Sequence, residues 1–151
     1  MEKLVIQSDT KNIVDVERFI SVVCDRWNIN NYIGTISMSL LQAVENAIVH
    51  GNGNDIDKQV TITADSCKGG IYFVVEDEGA GFDYTSFGSM PMQEGSGTGI
   101  YLMKALSDRM SFTDGGRKVR LDFFISGIEA TRALERLVTL REFYAPKEIL
   151  V

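Results

Sequence analysis

The chain has 151 residues, 44% of them hydrophobic, with 15 basic against 21 acidic side chains and a net charge of −6. That length makes one domain with room for a proper core. The acidic balance, with a pI near 4.8, argues against a nucleic-acid binder, which needs a basic face, and permits a basic protein partner. The chain has neither an apolar run of about eighteen residues nor a charged-then-apolar leader, so neither membrane insertion nor secretion is expected. Cys24 and Cys67 offer no disulfide framework and no metal spacing, and suit a reducing cytoplasm.

Leu4-Val5-Ile6-Gln7 reads as a short edge strand, and Ser8-Asp9-Thr10 offers side chains that can cap a helix. Residues 11 to 27 carry Ile13, Val16, Phe19, Ile20, Val23 and Trp27 at helical spacing, so a first helix lying on a sheet is expected. After a loop over 28–34 comes a second helix, ending at Gly51. Ile36, Leu40, Val44, Ala47 and Ile48 make its buried face. Gln42, Asn46 and His50 lie four apart on the same helix and stack in a line, roughly 6 Å per step. Such a ladder is either a solvated flank or one wall of a site.

Gly51-Asn52-Gly53-Asn54-Asp55 is a turn-rich break. Val60, Ile62 and Ala64 alternate with polar residues to Asp65, a half-buried strand. Lys68-Gly69-Gly70 turns it into Ile71 to Asp77, a hairpin. Ile71, Phe73, Val75 and Asp77 share one parity, which aims the Asp77 carboxylate at the covered face unless the strand has already ended. A carboxylate there needs a donor. Glu78-Gly79-Ala80-Gly81-Phe82 comes next, with glycines at alternate positions that permit a sharp turn and close approach. Residues 83 to 94 show no period and form a candidate lid. Gly95-Ser96-Gly97-Thr98-Gly99 then opens a helix from Ile100 to Leu106. It is either a hinge or, with its free N–H groups and positive dipole end, a phosphate cradle.

A strand over 110–113, a turn at Asp114-Gly115-Gly116 and a strand carrying Val119, Leu121, Phe123 and Ile125 complete the sheet. A last helix over 128–144 has Ala130, Ala133, Leu134, Leu137 and Val138 on one side, to pack on the domain or to meet a dimer or other partner. The expected fold is α+β, a two-layer sandwich with a mixed sheet covered on one face by helices. The domain proper spans 1–126, with a helical extension over 127–151.

Three stretches together suggest a nucleotide site. Asp77 can accept from an adenine amino group, the Gly97-Thr98-Gly99 backbone can hold phosphates, and Asn46 offers a hard oxygen to magnesium. Glu45-Asn46-Ala47-x-x-His50-Gly51, Asp77-x-Gly79-x-Gly81 and Gly95-Ser96-Gly97-Thr98-Gly99 resemble the N, G1 and G2 boxes of the GHKL ATPases, which share the Bergerat fold. The resemblance covers roughly residues 1 to 126. It implies Mg2+ at Asn46, adenine at Asp77 and a lid over residues 82 to 97, with ATP as the ligand.

The lone histidine, His50, lies inside the N box, which leaves no separate phosphoacceptor histidine. The chain is therefore most similar to the anti-sigma factor serine kinases. That likeness implies two partners, a sigma factor and a small STAS-type antagonist that is phosphorylated on serine. Two positions depart from the family. The glutamate that serves there as general base is Gln42, whose amide cannot take a proton, and Glu45 is the nearest substitute, about 100° around the helix. The last hairpin reads Gly116-Arg117-Lys118 instead of Gly-Thr-Thr, which puts the adenine contact on Asp77. A nucleotide-gated binding module without chemistry is the main rival reading, and a detached histidine-kinase catalytic domain acting in trans on a partner's histidine is a third.

Overall fold

The computed structural model describes residues 1–84, 98–125 and 138–139. Strand β1 (Glu2–Gln7) leads through a short 3-10 turn into α1 (Ile13–Arg26), and a second such turn leads into α2 (Ile33–Asn46). Strands β2 (Gln59–Cys67) and β3 (Gly70–Glu76) form a hairpin, and α3 (Thr98–Leu106) precedes the hairpin of β4 (Arg109–Thr113) and β5 (Lys118–Phe124). The five strands lie in the order β1-β2-β3-β5-β4.

The α+β sandwich is the one expected, with one correction. Among the described residues all four strand pairings are antiparallel, not mixed. Two pairs are hairpins, which can run no other way. Between β1 and β2 the chain makes two helical passes, and a reversal at each of the three connections leaves β2 antiparallel to β1. The strands β3 and β4 do run the same way, but β5 is inserted between them, so like-directed strands never touch.

The alternation read along each strand sets the core. Val60, Ile62 and Ala64 of β2, Ile71, Phe73 and Val75 of β3, and Val119, Leu121 and Phe123 of β5 are buried under the helices. They meet Val16, Ile20 and Val23 of α1, Ile36, Leu40 and Val44 of α2, and Met103 of α3. Each such side chain contributes about 1.5–3 kcal/mol on burial, so packing on the sheet, more than helix propensity, holds these short helices. Capping is weak by comparison. Asp9 accepts from the Lys11 amide at 3.1 Å, while Asn12, at the start of α1, makes no side-chain cap bond.

The helix that begins with α2 does run on to Gly51, but its last turn is a π-helix over Ala47–Gly51. The Asn52 amide donates to the Ala47 carbonyl at 2.8 Å, a five-residue step that marks the wider turn. The lid over 82 to 97 lies outside the described residues from 85 onward. So do the extension over 127–151 and its helix over 128–144, apart from Val138 and Thr139, which are helical and exposed.

Candidate functional site

The π turn and the G1 segment meet back to back. A Cβ on Gly79 would stand 1.9 Å from the Gly51 carbonyl oxygen, so only glycine permits this approach. The same packing leaves a Cβ on Gly51 2.4 Å from Asp77 Oδ2, which puts the carboxylate directly over the end of the helix. The Gly79 amide donates to Asp77 Oδ1 at 2.8 Å. That bond commits one carboxylate oxygen. Asp77 is half-buried, and desolvation pushes its pKa up. The Gly79 bond and the positive charges of Arg117 and Lys58 pull the other way, while Glu76 adds to the rise.

Asn52, just past the π turn, holds this junction. It is buried, its Nδ2 donates to Ser8 Oγ at 2.8 Å and to the Gln59 carbonyl at 3.0 Å, and its Oδ1 accepts from the Glu78 amide at 2.8 Å. One side chain thus joins the ends of β1 and α2 to the starts of β2 and the G1 loop. The sequence places Asn52 in a turn-rich break, with nothing to mark it as buried. Its neighbours Gly53 and Asn54 do adopt the positive φ of such a turn, at 61° and 59°.

A cavity of about 290 Å3 opens beside this junction. Asn46, His50, Gly51 and Asp77 line it, with Gly81 and Phe82 from the G1 loop and Gly99 and Met103 from α3. Val75, Phe112, Arg117 and Val119 form its sheet side. The walls are therefore largely apolar, with a few convergent polar groups, the usual make-up of a small-molecule site. Phe82 and Phe112 meet edge to face at 5.2 Å, and Tyr84 stacks on Phe112 at 5.4 Å. Gly81, at φ 79°, brings its backbone close to the β4–β5 turn, where the Phe82 amide donates to the Gly115 carbonyl at 2.9 Å.

At the other end of the cavity, α2 and the start of α3 touch. Gln42 Oε1 and Asn46 Nδ2 lie 3.0 Å and 3.3 Å from where a Cβ on Gly99 would stand. The N box and the second half of the glycine-rich segment are therefore neighbours, with Asp77 on the cavity they share. Asn46 Nδ2 donates to the Met103 sulfur at 3.6 Å. His50 lines the cavity yet is exposed, and Glu45 is exposed and outside the lining. Thr98 is the first residue of α3, while Gly95, Ser96 and Gly97 lie outside the described residues. Among the described residues no group of three or more His, Cys, Asp or Glu side chains is placed to hold a metal ion. No helix among them is long and apolar enough to cross a membrane.

Sequence reading did not single out Met103 or Phe112 as cavity residues. Both sit at apolar positions of regular elements, where nothing in the periodicity separates a cavity wall from core. In the sequence Arg117 stands out only as a departure from the Gly-Thr-Thr pattern. In the structure its guanidinium is held by Asp114, Nη2 to Oδ1 at 3.0 Å and Nε to the carbonyl at 3.2 Å, while it lines the cavity near Asp77.

The histidine kinase-like ATPase domain matches residues 6–123 of the chain. This chain belongs to that family. ATP binding comes with such a domain. The chain is also similar to the anti-sigma F factor of Clostridium perfringens strain 13, at 34% identity over 93 residues, 56% of this chain and 66% of the relative. The anti-sigma F factor of strain SM101 is 35% identical over 81 residues, 50% of this chain and 58% of the relative. The chain thus spans less than two thirds of either relative.

Proposed function

We propose that this chain is a cytoplasmic nucleotide-binding regulator of the anti-sigma type, which acts as a protein serine kinase on a small STAS-type antagonist. The observation that carries the reading is the meeting of Asn46, Asp77 and Gly99 around one cavity. The similarity to anti-sigma F factors supports the choice of a sigma factor as its other partner. Asp77 binds the adenine amino group with the oxygen that Gly79 leaves free. Asn46 offers an amide oxygen to Mg2+, and the first N–H groups of α3 receive phosphate. The set fits that ion. With no carboxylate cluster among the described residues, phosphates and waters would complete the coordination, as magnesium prefers. When bound, the ion neutralises charge on the β- and γ-phosphates.

In the transfer step the serine oxygen bonds to the γ-phosphorus as the bond from that phosphorus to the bridging oxygen breaks. ADP leaves, and the serine proton passes to water or to a phosphate oxygen. Gln42 lies against Gly99, near where phosphate would sit, and its amide cannot take that proton; Glu45 stands outside the cavity. A general base contributes about 10²–10⁴-fold, while positioning and charge stabilisation carry most of phosphoryl transfer. Slow transfer is therefore the expected activity.

Gln42 favours one second reading, a nucleotide-gated binding module that leaves ATP intact. Incubation with ATP labelled at the γ-phosphate and a STAS-type antagonist separates the two. Acid-stable label on the antagonist, lost in Asn46→Ala and raised in Gln42→Glu, supports the kinase. If ATP stays intact over hours in wild type while Gln42→Glu gains turnover, the binding module is correct.

A further inference from the structure

Met103 is buried on the inner face of α3 and passes for core filler, yet three contacts converge on it. Asn46 Nδ2 donates to its sulfur at 3.6 Å, Ser39 Oγ donates to its carbonyl at 3.3 Å, and Ser107 Oγ donates to the same carbonyl at 2.6 Å. Ser39 and Asn46 stand seven residues apart on α2, two turns along one face. Met103 therefore holds α2 at two levels, once with its side chain and once with its backbone.

The chemistry of the sulfur makes the first contact directional. A thioether has no proton and can only accept. Were the Asn46 amide turned over, its oxygen would face the sulfur, acceptor against acceptor. The sulfur therefore takes the NH2 group and leaves Oδ1 for the cavity. A leucine of similar volume would pack in the same space and favour neither end of the amide. Gly99, at the phosphate end of the same helix, lies against Asn46.

We infer that Met103 is a positioning residue for nucleotide binding. Its sulfur selects the amide orientation in which Asn46 presents oxygen to a divalent cation on the phosphates, and its carbonyl ties α3 to α2 so that cation and phosphate sites keep their spacing. The inference rests on the nucleotide-site reading above and deepens it.

The test compares ATP affinity with Mg2+ and with EDTA, by calorimetry, in wild type, Met103→Leu, Asn46→Asp and the double variant. In wild type Mg2+ tightens ATP binding. In Met103→Leu the ratio of the two dissociation constants shrinks by about three- to tenfold, the worth of one hydrogen bond. A carboxylate presents oxygen whichever way it turns, so Met103→Leu leaves the ratio unchanged on the Asn46→Asp background. The Asn46 side-chain NH2 resonances, assigned by their loss in Asn46→Asp, shift in Met103→Leu.

Equal weakening with and without Mg2+, or the same shrinkage in the Asn46→Asp background, would reduce Met103 to packing and overturn the inference alone. If wild type binds ATP but Mg2+ makes no difference, the cation role of Asn46 falls and this inference with it. If wild type does not bind ATP at all, the nucleotide-site reading itself is wrong.

Discussion

Asp77→Asn should separate stability from binding. In the folded chain Asp77 Oδ1 accepts from the Gly79 amide at 2.8 Å, which leaves Oδ2 for a ligand. Asparagine has one oxygen. If that oxygen keeps the Gly79 bond, the NH2 group faces the cavity and confronts the adenine amino group, donor against donor. The loss is then at least that of a charged-acceptor hydrogen bond, about 1.5–3 kcal/mol, or roughly 10- to 150-fold in Kd at about 1.4 kcal/mol per tenfold. Calorimetric titration with Mg-ATP measures it. Thermal unfolding without ligand should move the other way. Burial raises the Asp77 pKa above its ordinary value of 3.8. The contribution of this group to stability is therefore greatest below that value and is lost as pH rises through the raised one. At pH 7 wild type holds a desolvated charge that the variant lacks, so the variant should melt no lower than wild type. The difference should close as pH falls toward the ordinary aspartate range. ATP affinity in wild type should weaken over the same fall in pH, as the acceptor is protonated. A variant that binds ATP within twofold of wild type would refute the placement of adenine on Asp77.

Asn52→Ala removes a buried side chain with three hydrogen bonds and strands the Glu78 amide. We expect a loss of about 2–3 kcal/mol, seen as a fall in Tm of roughly 4–12 °C, together with weaker nucleotide binding because the Asp77 loop loses its anchor. An unchanged Tm would show that water replaces the amide. The two thiols should differ. Cys24 is fully buried, with its pKa pushed up to about 11 by desolvation, while Cys67 is half-buried. A chromogenic disulfide at pH 8 should therefore titrate one thiol promptly in the native chain and the second only after unfolding. Equal rates for both would mean that α1 opens readily from the sheet.

The strands and helices were legible because each buries one face, and one-sided burial writes its period into the residues. Ile71, Phe73 and Val75, or Val119, Leu121 and Phe123, alternate because helices cover one side of the sheet only. The parity argument that turned Asp77 toward the covered face comes from the same source. The insertion of β5 between β3 and β4 was not legible, since local period carries no information about which strand is a neighbour. Nor was the π turn. It adds one residue to a turn, and over the short span Ala47–Gly51 the apolar spacing does not betray that. Asn52 hid for a third reason. A buried asparagine and a turn asparagine are the same letter, and only the hydrogen-bond partners distinguish them. Met103 hid because a thioether that accepts a hydrogen bond has the same hydropathy as one that merely fills space.

The place of β5 in the sheet bears on when the protein becomes competent during synthesis. The central pairing of β3 with β5 must wait for a strand that lies beyond α3 and β4 in the chain. Until β5 docks, β3 has an open edge, and the cavity lacks Arg117 and Val119. Loop closure over so long a stretch is paid before its contacts form. A nascent chain that has already exposed Asn46, Asp77, Gly79, Gly81 and Gly99 still has no pocket. Formation of this pocket is therefore a report that β5 has arrived.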